Sequence, residues 1–240
     1  MTTTKNTAGN STGKSTWNSM GQLTGKPLLR ALAALTLAAS LVSLQAPAGS
    51  AATTPGESAG YVRLQHPVPT SSREVMEVFW YDCQHSYQLE APLQAWAARQ
   101  KPPVTIRHIP AAWPDQPRMM GYARLYYTLD RLGLADRLAL QVFHAVRDQR
   151  VELIQEDSLR AWAEQQELDP RQVLAAWNSP EVRQEVQQAP ALRERYEVHE
   201  MPSVVVGGTY RTSPFIASGG VDGTVPVVDS LVQRTTRAAH

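Results

Sequence analysis

The chain has 240 residues, 42% of them hydrophobic and 19% charged, with a formal net charge of +1. That length suits one globular domain, or one domain with a large insertion, and supplies ample material for a core. No basic run stands out, which argues against nucleic acid as a partner.

The first stretch reads as a leader rather than as part of the fold. No acidic residue precedes Glu57, and Lys26 and Arg30 are followed by the apolar run Ala31–Leu44 and the small-residue sequence "QAPAGSAA". A positive flank, a short apolar core and an A-x-A-like end describe a secretory signal, here residues 1–52. The run is short for a bilayer span, which needs about 20 residues. Met20 opens a leader of ordinary length and is the expected true start. Beyond residue 52 there remain 19 Lys+Arg against 22 Asp+Glu, a net of −3. The expected destination is the periplasm, which is oxidising, yet one cysteine cannot form an internal disulfide. A leftover cysteine in an exported chain suggests an intermolecular partner or a reactive thiol.

Residues 53–72 read as a linker, a short edge strand and a Pro-rich turn. "EVMEVFWY" (74–81) is predicted to be a strand, being β-branched and aromatic without Pro or Gly. A helix follows from around Asp82–Ser86, with Leu89, Leu93, Trp96 and Ala97 on one side and a kink expected at Pro92. "VTIRHI" (104–109) makes a second strand, and the strand–helix–strand unit implies a parallel pair with a right-handed crossover. From about Gln116 to Glu197 the pattern is helical throughout. "RMMGYARLYYTLDRLG" ends in Gly133 as a C-terminal cap, and "ADRLALQVFHAVRDQR" carries a stripe of Leu138, Val142, Phe143 and Val146. The next helix opens on Asp157 or Ser158, and "DPRQVLAAWN" and "SPEVRQEV" each pair a capping residue with Pro at the first helical position. "PSVVVGGTYRT" reads as a β-hairpin about a Gly-Gly turn, and residues 224–237 as a closing amphipathic helix.

The only cysteine, Cys83, lies in "WYDCQHSY", where the strand runs into the helix. A thiol at a helix N-terminus faces unpaired backbone N–H groups and the positive end of the macrodipole, which favour thiolate. His85, when protonated or donating a hydrogen bond, adds to this effect, and thiolate is the nucleophilic form. The alternative is an inert buried cysteine acting as a small hydrophobe. Cys83-x-His85 supplies too few ligands for a metal, His108, His144 and His199 are expected to be structural or exposed, and no metal is expected. There is no Walker loop, nucleophile-elbow serine or dinucleotide fingerprint.

A strand running into "CQHSYQLEAPLQAW", a helical insertion, and "MPSVVVGGTY" before a hairpin resemble the DsbA-like thiol:disulfide oxidoreductases over about residues 72–233. The resemblance implies an α/β thioredoxin-like fold with an inserted all-helical domain. Residues 73–110 and 200–240 then form the thioredoxin-like part and 111–199 the insertion. The family usually carries Cys-Pro-His-Cys, whereas this chain has Cys83, Gln84, His85 and Ser86. The attacking cysteine and the histidine match, while the proline and the resolving cysteine do not, so the departure bears on the oxidase cycle and not on the fold. Ser86 either gives the Cys83 thiolate a hydroxyl donor or is a first-turn serine with no part in chemistry. The resemblance makes Pro202 the family's cis-proline beside the active cysteine, with Met201 presenting its backbone to an extended substrate or else filling core. Glu77 matches a buried acid beneath the active site, with a solvated strand glutamate as the alternative.

The implied activity is thiol-disulfide exchange through one cysteine, on cysteine-containing exported proteins held as mixed disulfides, with a membrane redox partner. No cofactor is expected beyond glutathione as a thiol co-substrate. A redox-inactive binding or chaperone module and a glutathione-linked transferase or isomerase on the same fold are the competing readings.

Overall fold

The computed structural model describes residues 60–238. The expected leader, the Met20 start and the first part of the linker lie outside the described residues. The strands are β1 (Val62–Arg63), β2 (Glu74–Phe79), β3 (Thr105–Pro110), β4 (Ser203–Val206) and β5 (Tyr210–Thr212), in the sheet order β1-β5-β4-β2-β3. Helix α1 (Gln84–Ala98) is the crossover between β2 and β3, which pair in parallel. The remaining pairs, β2–β4, β4–β5 and β1–β5, are antiparallel.

β2 is central, and Val75 to Phe79 are all buried because both faces of the sheet are covered. The alternation of a strand divides them. Val75 packs with Leu89, Leu93 and Trp96 of α1 and with Val228, Leu231 and Val232 of α7 (Gly220–Ala238). Met76 and Val78 point the other way, to Ile109, Val198 and Val205. Glu77 shares its parity with Val75 and Phe79, so it faces α1.

Between β3 and β4 stand α2 (Pro117–Arg131), α3 (Ala135–Phe143), α4 (Glu156–Gln165), α5 (Pro170–Trp177) and α6 (Pro180–Arg195). They close on a core that includes Tyr122, Leu129, Leu138, Phe143 and Trp162. Phe79 and Tyr81 join this core from the sheet, and so tie the end of β2 to the helices. The expected caps hold: the Asp169 carboxylate accepts the Arg171 amide at 2.9 Å, and the Ser179 hydroxyl accepts that of Val182 at 3.2 Å. Gly133 ends α2 with φ +67°.

Three local expectations change. The stripe through Val146 is not one helix, because α3 passes at His144–Asp148 into a π-turn. α4 opens earlier, at Glu156 after Gln155, with Glu156 and Asp157 in its first turn where the dipole favours acids. α7 starts at Gly220 rather than at 224. Gly220, Gly223 and Pro226 are poor helix formers and hide that first turn in sequence, while burial of Thr224 and Val228 holds it. Pro92 lies inside α1, which continues past it to Ala98. Among the described residues no helix is long and apolar enough to cross a membrane.

The β4–β5 turn depends on glycine. Gly207 and Gly208 have φ of +54° and +58°, and a Cβ on Gly208 would lie 1.8 Å from the Val68 carbonyl oxygen. That backbone contact cannot move aside, because the Val68 amide donates to the Gly208 carbonyl at 2.8 Å. Gly208→Ala is therefore expected to cost about 2–4 kcal/mol, from the left-handed backbone penalty plus the collision. Urea midpoints would check this, and a loss under about 0.5 kcal/mol, typical of a plain surface change, would contradict it.

Candidate active site

Cys83 is the N-cap residue of α1, with φ −101° and ψ 123°, and its side chain caps nothing. The sulfur is half-buried. Its backbone is fixed on both sides, since the Cys83 amide donates to the Trp80 carbonyl at 2.9 Å and the Cys83 carbonyl accepts from Tyr87 at 3.0 Å. The thiol donates to the Met201 carbonyl at 3.5 Å, so β2–α1 and the segment before β4 meet at the sulfur. The Met201–Pro202 peptide bond is cis. Pro202 is buried and Met201 half-buried, packed against the core that holds Val205 and Ile109.

His85 is exposed, and its ring meets the edge of Phe215 with centroids 5.2 Å apart. Phe215 is itself 61% exposed. Together with Gln88, Pro214 and Gly219–Asp222 the pair lines an open cavity of about 530 Å³ beside the thiol-bearing helix start. Ser86 departs from one expectation. It is fully buried, and its hydroxyl oxygen accepts the Trp80 amide at 3.3 Å; it has no hydrogen bond to Cys83. The reason is local: β2 ends at Phe79, and the Trp80 amide beyond it needs an acceptor.

Sequence reading passed over the groups that hold this loop. Arg147, on the π-turn, donates to the Asp82 carboxylate at 2.6 Å and to the Asp82 carbonyl at 2.8 Å. Arg118 reaches the other Asp82 oxygen at 3.1 Å and also pairs with Glu152. The carboxylate next to Cys83 in sequence is thus paired with two guanidinium groups rather than left as a bare anion beside the sulfur. Tyr87 adds a bond to Asp148 at 3.0 Å. A π-turn is the rare element that would flag this, and no simple periodicity reveals one.

Beneath the loop lies a second group of side chains. Glu77 is completely buried and is not a solvated strand glutamate. The parallel register sets it beside His108, whose Nε2 lies 3.5 Å from Glu77 Oε2 and 3.7 Å from Glu90 Oε2. His108 Nδ1 is 3.3 Å from Asp136 Oδ1. His108 is thus buried among three carboxylates, not a bystander. Burial opposes its charged form, but the close approach of the Asp136 and Glu77 carboxylates and the charges of Glu77 and Glu90 outweigh that and raise its pKa to about 10. Burial, then the charge of Glu77, raises Glu90 from 4.5 to about 7, with His108 and Gln94 pulling the other way.

The DSBA-like thioredoxin domain model matches residues 107–225, which begin after the Cys83 segment. The thiol:disulfide interchange protein DsbA of Burkholderia cepacia is 30% identical over 205 residues, covering 85% of this chain and 95% of that protein. The chain belongs to the DsbA-like thioredoxin family. The DsbA of Bordetella parapertussis is 32% identical over 180 residues, covering 74% of this chain and 85% of the relative. In three dimensions the family likeness extends to the crystal structure of Pseudomonas aeruginosa DsbA, with TM-score 0.69, 27% identity and coverage of 75% and 94% of the two chains. For the DsbA of Xylella fastidiosa the TM-score is 0.65 at 30% identity, covering 75% and 96%. The fold is the thioredoxin-like α/β fold with helices inserted between β3 and β4, as in these family members. Against that family background the sequence Cys83-Gln84-His85-Ser86 holds a single sulfur.

Proposed function

We propose that the chain is an exported, monothiol member of the family that exchanges disulfides of other proteins through Cys83. The observation that carries this reading is the position of the sulfur, half-buried at the start of α1 and facing the Met201 carbonyl. A nucleophile there has the α1 amide dipoles behind it, and the cavity lined by His85 and Phe215 opens beside the same helix start.

The Cys83 thiolate attacks one sulfur of a substrate disulfide. A Cys83–substrate disulfide forms, the substrate S–S bond breaks, and the second substrate sulfur leaves as thiolate. Release needs a second thiolate, which attacks the mixed disulfide and returns Cys83 as thiolate, with no net electron change on the protein. Ser86 cannot supply that sulfur, so the releasing thiol comes from the substrate itself or from glutathione. This chemistry suits isomerisation and reduction of mixed disulfides better than net oxidation of dithiols. In this reading Met201 and Pro202 present the substrate-binding backbone beside the sulfur, and the periplasm is the place of action after removal of the leader.

Incubating the full chain with a peptide disulfide and resolving it on non-reducing gels tests the reading. A covalent Cys83–peptide adduct is expected, discharged by glutathione and absent in Cys83→Ser. Failure to form any adduct, with the peptide still bound non-covalently, would favour the binding module instead.

A further inference from the structure

We propose that Glu77, Glu90 and His108 form a binding site for one divalent metal ion, with zinc the best fit. Their ligand atoms all lie within 4.8 Å of one another. Tetrahedral zinc, with bonds of about 2.0–2.2 Å, spaces its ligands roughly 3.3–3.6 Å apart. The observed separations from His108 Nε2 to Glu77 and Glu90 are 3.5 and 3.7 Å, so closure needs only small movements.

A second observation points to a ligand. Glu77 is completely buried, yet neither of its carboxylate oxygens has a hydrogen-bond partner. A buried carboxylate is tolerated when it is paired or when it coordinates a metal. Here two buried carboxylates share one imidazole, and a divalent cation with neutral His108 balances both.

The surroundings suit the same ion. With a proton on Nδ1 directed at Asp136, 3.3 Å away, His108 presents its Nε2 lone pair to the two glutamates. A carboxylate behind a ligating histidine is the usual device for orienting it. Gln94 Nε2 lies 3.4 Å from His108 Nε2 and 3.5 Å from Glu90 Oε1, and turning the amide over brings its oxygen in as a fourth ligand. One imidazole with oxygen donors and no thiolate fits zinc better than soft ions.

The histidine, though not the two glutamates, borders an open cavity. A cavity of about 480 Å³ opens beside β3, with His108 in its wall and Glu74, Asp130, Asp136 and Glu185 around it, Arg107 being the only other charged lining residue. Such a mouth concentrates cations. Among the described residues the only side-chain hydrogen bond of Cys83 is to Met201, so zinc retention can be read independently of the thiol.

The test uses the full chain carrying Cys83→Ser, so that the lone thiol contributes no ligand. Stripped with chelator, loaded with zinc and dialysed, it should retain one zinc per chain by elemental analysis. Asp136 is mostly exposed, with 81% of its side chain accessible, so Asp136→Asn should fold normally and bind zinc about 10–100-fold more weakly. Glu77→Gln and His108→Gln should lose it altogether, and cobalt should give the visible bands of a nitrogen–oxygen site only when His108 is present. Absence of retained zinc in the parent chain, or retention in Glu77→Gln equal to the parent's, would overturn the proposal.

Discussion

Ser86→Cys is expected to close an internal disulfide with Cys83 and to confer catalytic oxidation of dithiols that the wild-type chain lacks. Cys83 caps α1 and Ser86 lies in its first turn, three residues on. Residues so spaced have Cβ atoms roughly 5–6 Å apart, and a small inward shift of the first turn brings them to the roughly 3.5–4.5 Å that a disulfide spans. The new sulfur would occupy the buried place of the Ser86 hydroxyl and forfeit its bond from the Trp80 amide, at a cost of about 1 kcal/mol. Against that small loss stands a large kinetic gain. A resolving sulfur in the same turn replaces an external thiol, and converting a bimolecular step into an intramolecular one is worth about 10²–10⁴-fold. Mass measurement after mild oxidant should show loss of two thiol hydrogens, and turnover of a dithiol peptide should rise by about 100-fold or more. A variant that keeps two free thiols under oxidant would mean that the start of α1 is not arranged as described.

Replacing His108 with leucine is expected to destabilise the fold by about 3–5 kcal/mol, the cost of removing one partner from a buried ion group. Glu77 and Glu90 would then face each other inside the protein without a cation between them. Glu90→Gln in the His108→Leu background should recover part of the loss, because it deletes one of the two unpaired charges. The pH dependence follows from directions that agree. Both His108 and Glu90 have raised pKa values, so the folded chain holds protons that the unfolded chain releases. Wild-type stability in chelator should therefore fall as pH rises, from 4.5 to about 7 through Glu90 and from 6.5 to about 10 through His108. The second segment should vanish in His108→Leu. Urea midpoints at pH 5, 7 and 9 would read both effects, and a wild type more stable at pH 9 than at pH 5 would contradict the assignment.

The thioredoxin-like half was legible because its signals are short-range and agree with one another. "EVMEVF" and "VTIRHI" are β-branched runs, the Gly-Gly pair marks its own hairpin, and Asp169 and Ser179 announce helices through a cap followed by proline. Cys83 was legible for the same reason, as a thiol at a strand-to-helix junction. What escaped depends on register and on long-range contact. Glu77 and His108 meet only because β2 and β3 pair with Glu74 opposite Thr105, and Glu90 joins them only because α1 crosses that face. One trace was present in advance: Glu90 shares the buried side of α1 with Leu89 and Leu93, an odd place for a carboxylate without a partner. Arg147 could not be placed, because the π-turn rotates the end of the α3 stripe and no pattern with a period of 3.6 residues encodes that. For Ser86 the sequence left two readings open, a donor to the thiolate or a first-turn serine without chemistry, because only the fold shows that its oxygen accepts the Trp80 amide.

If Cys83 is a working nucleophile without a resolving partner, its state in the cell should show it. Protein should be taken from the cells that make it under acid trapping, run on non-reducing gels and analysed by mass spectrometry at Cys83. Mixed disulfides with other proteins or glutathione are expected, collapsing on reduction and missing from Cys83→Ser. Because no internal sulfur releases them, they should persist longer than the adducts of a two-cysteine relative. A Cys83 found wholly as free thiol, in a chain that still associates with other proteins, would rule out covalent exchange and leave a binding module in its place.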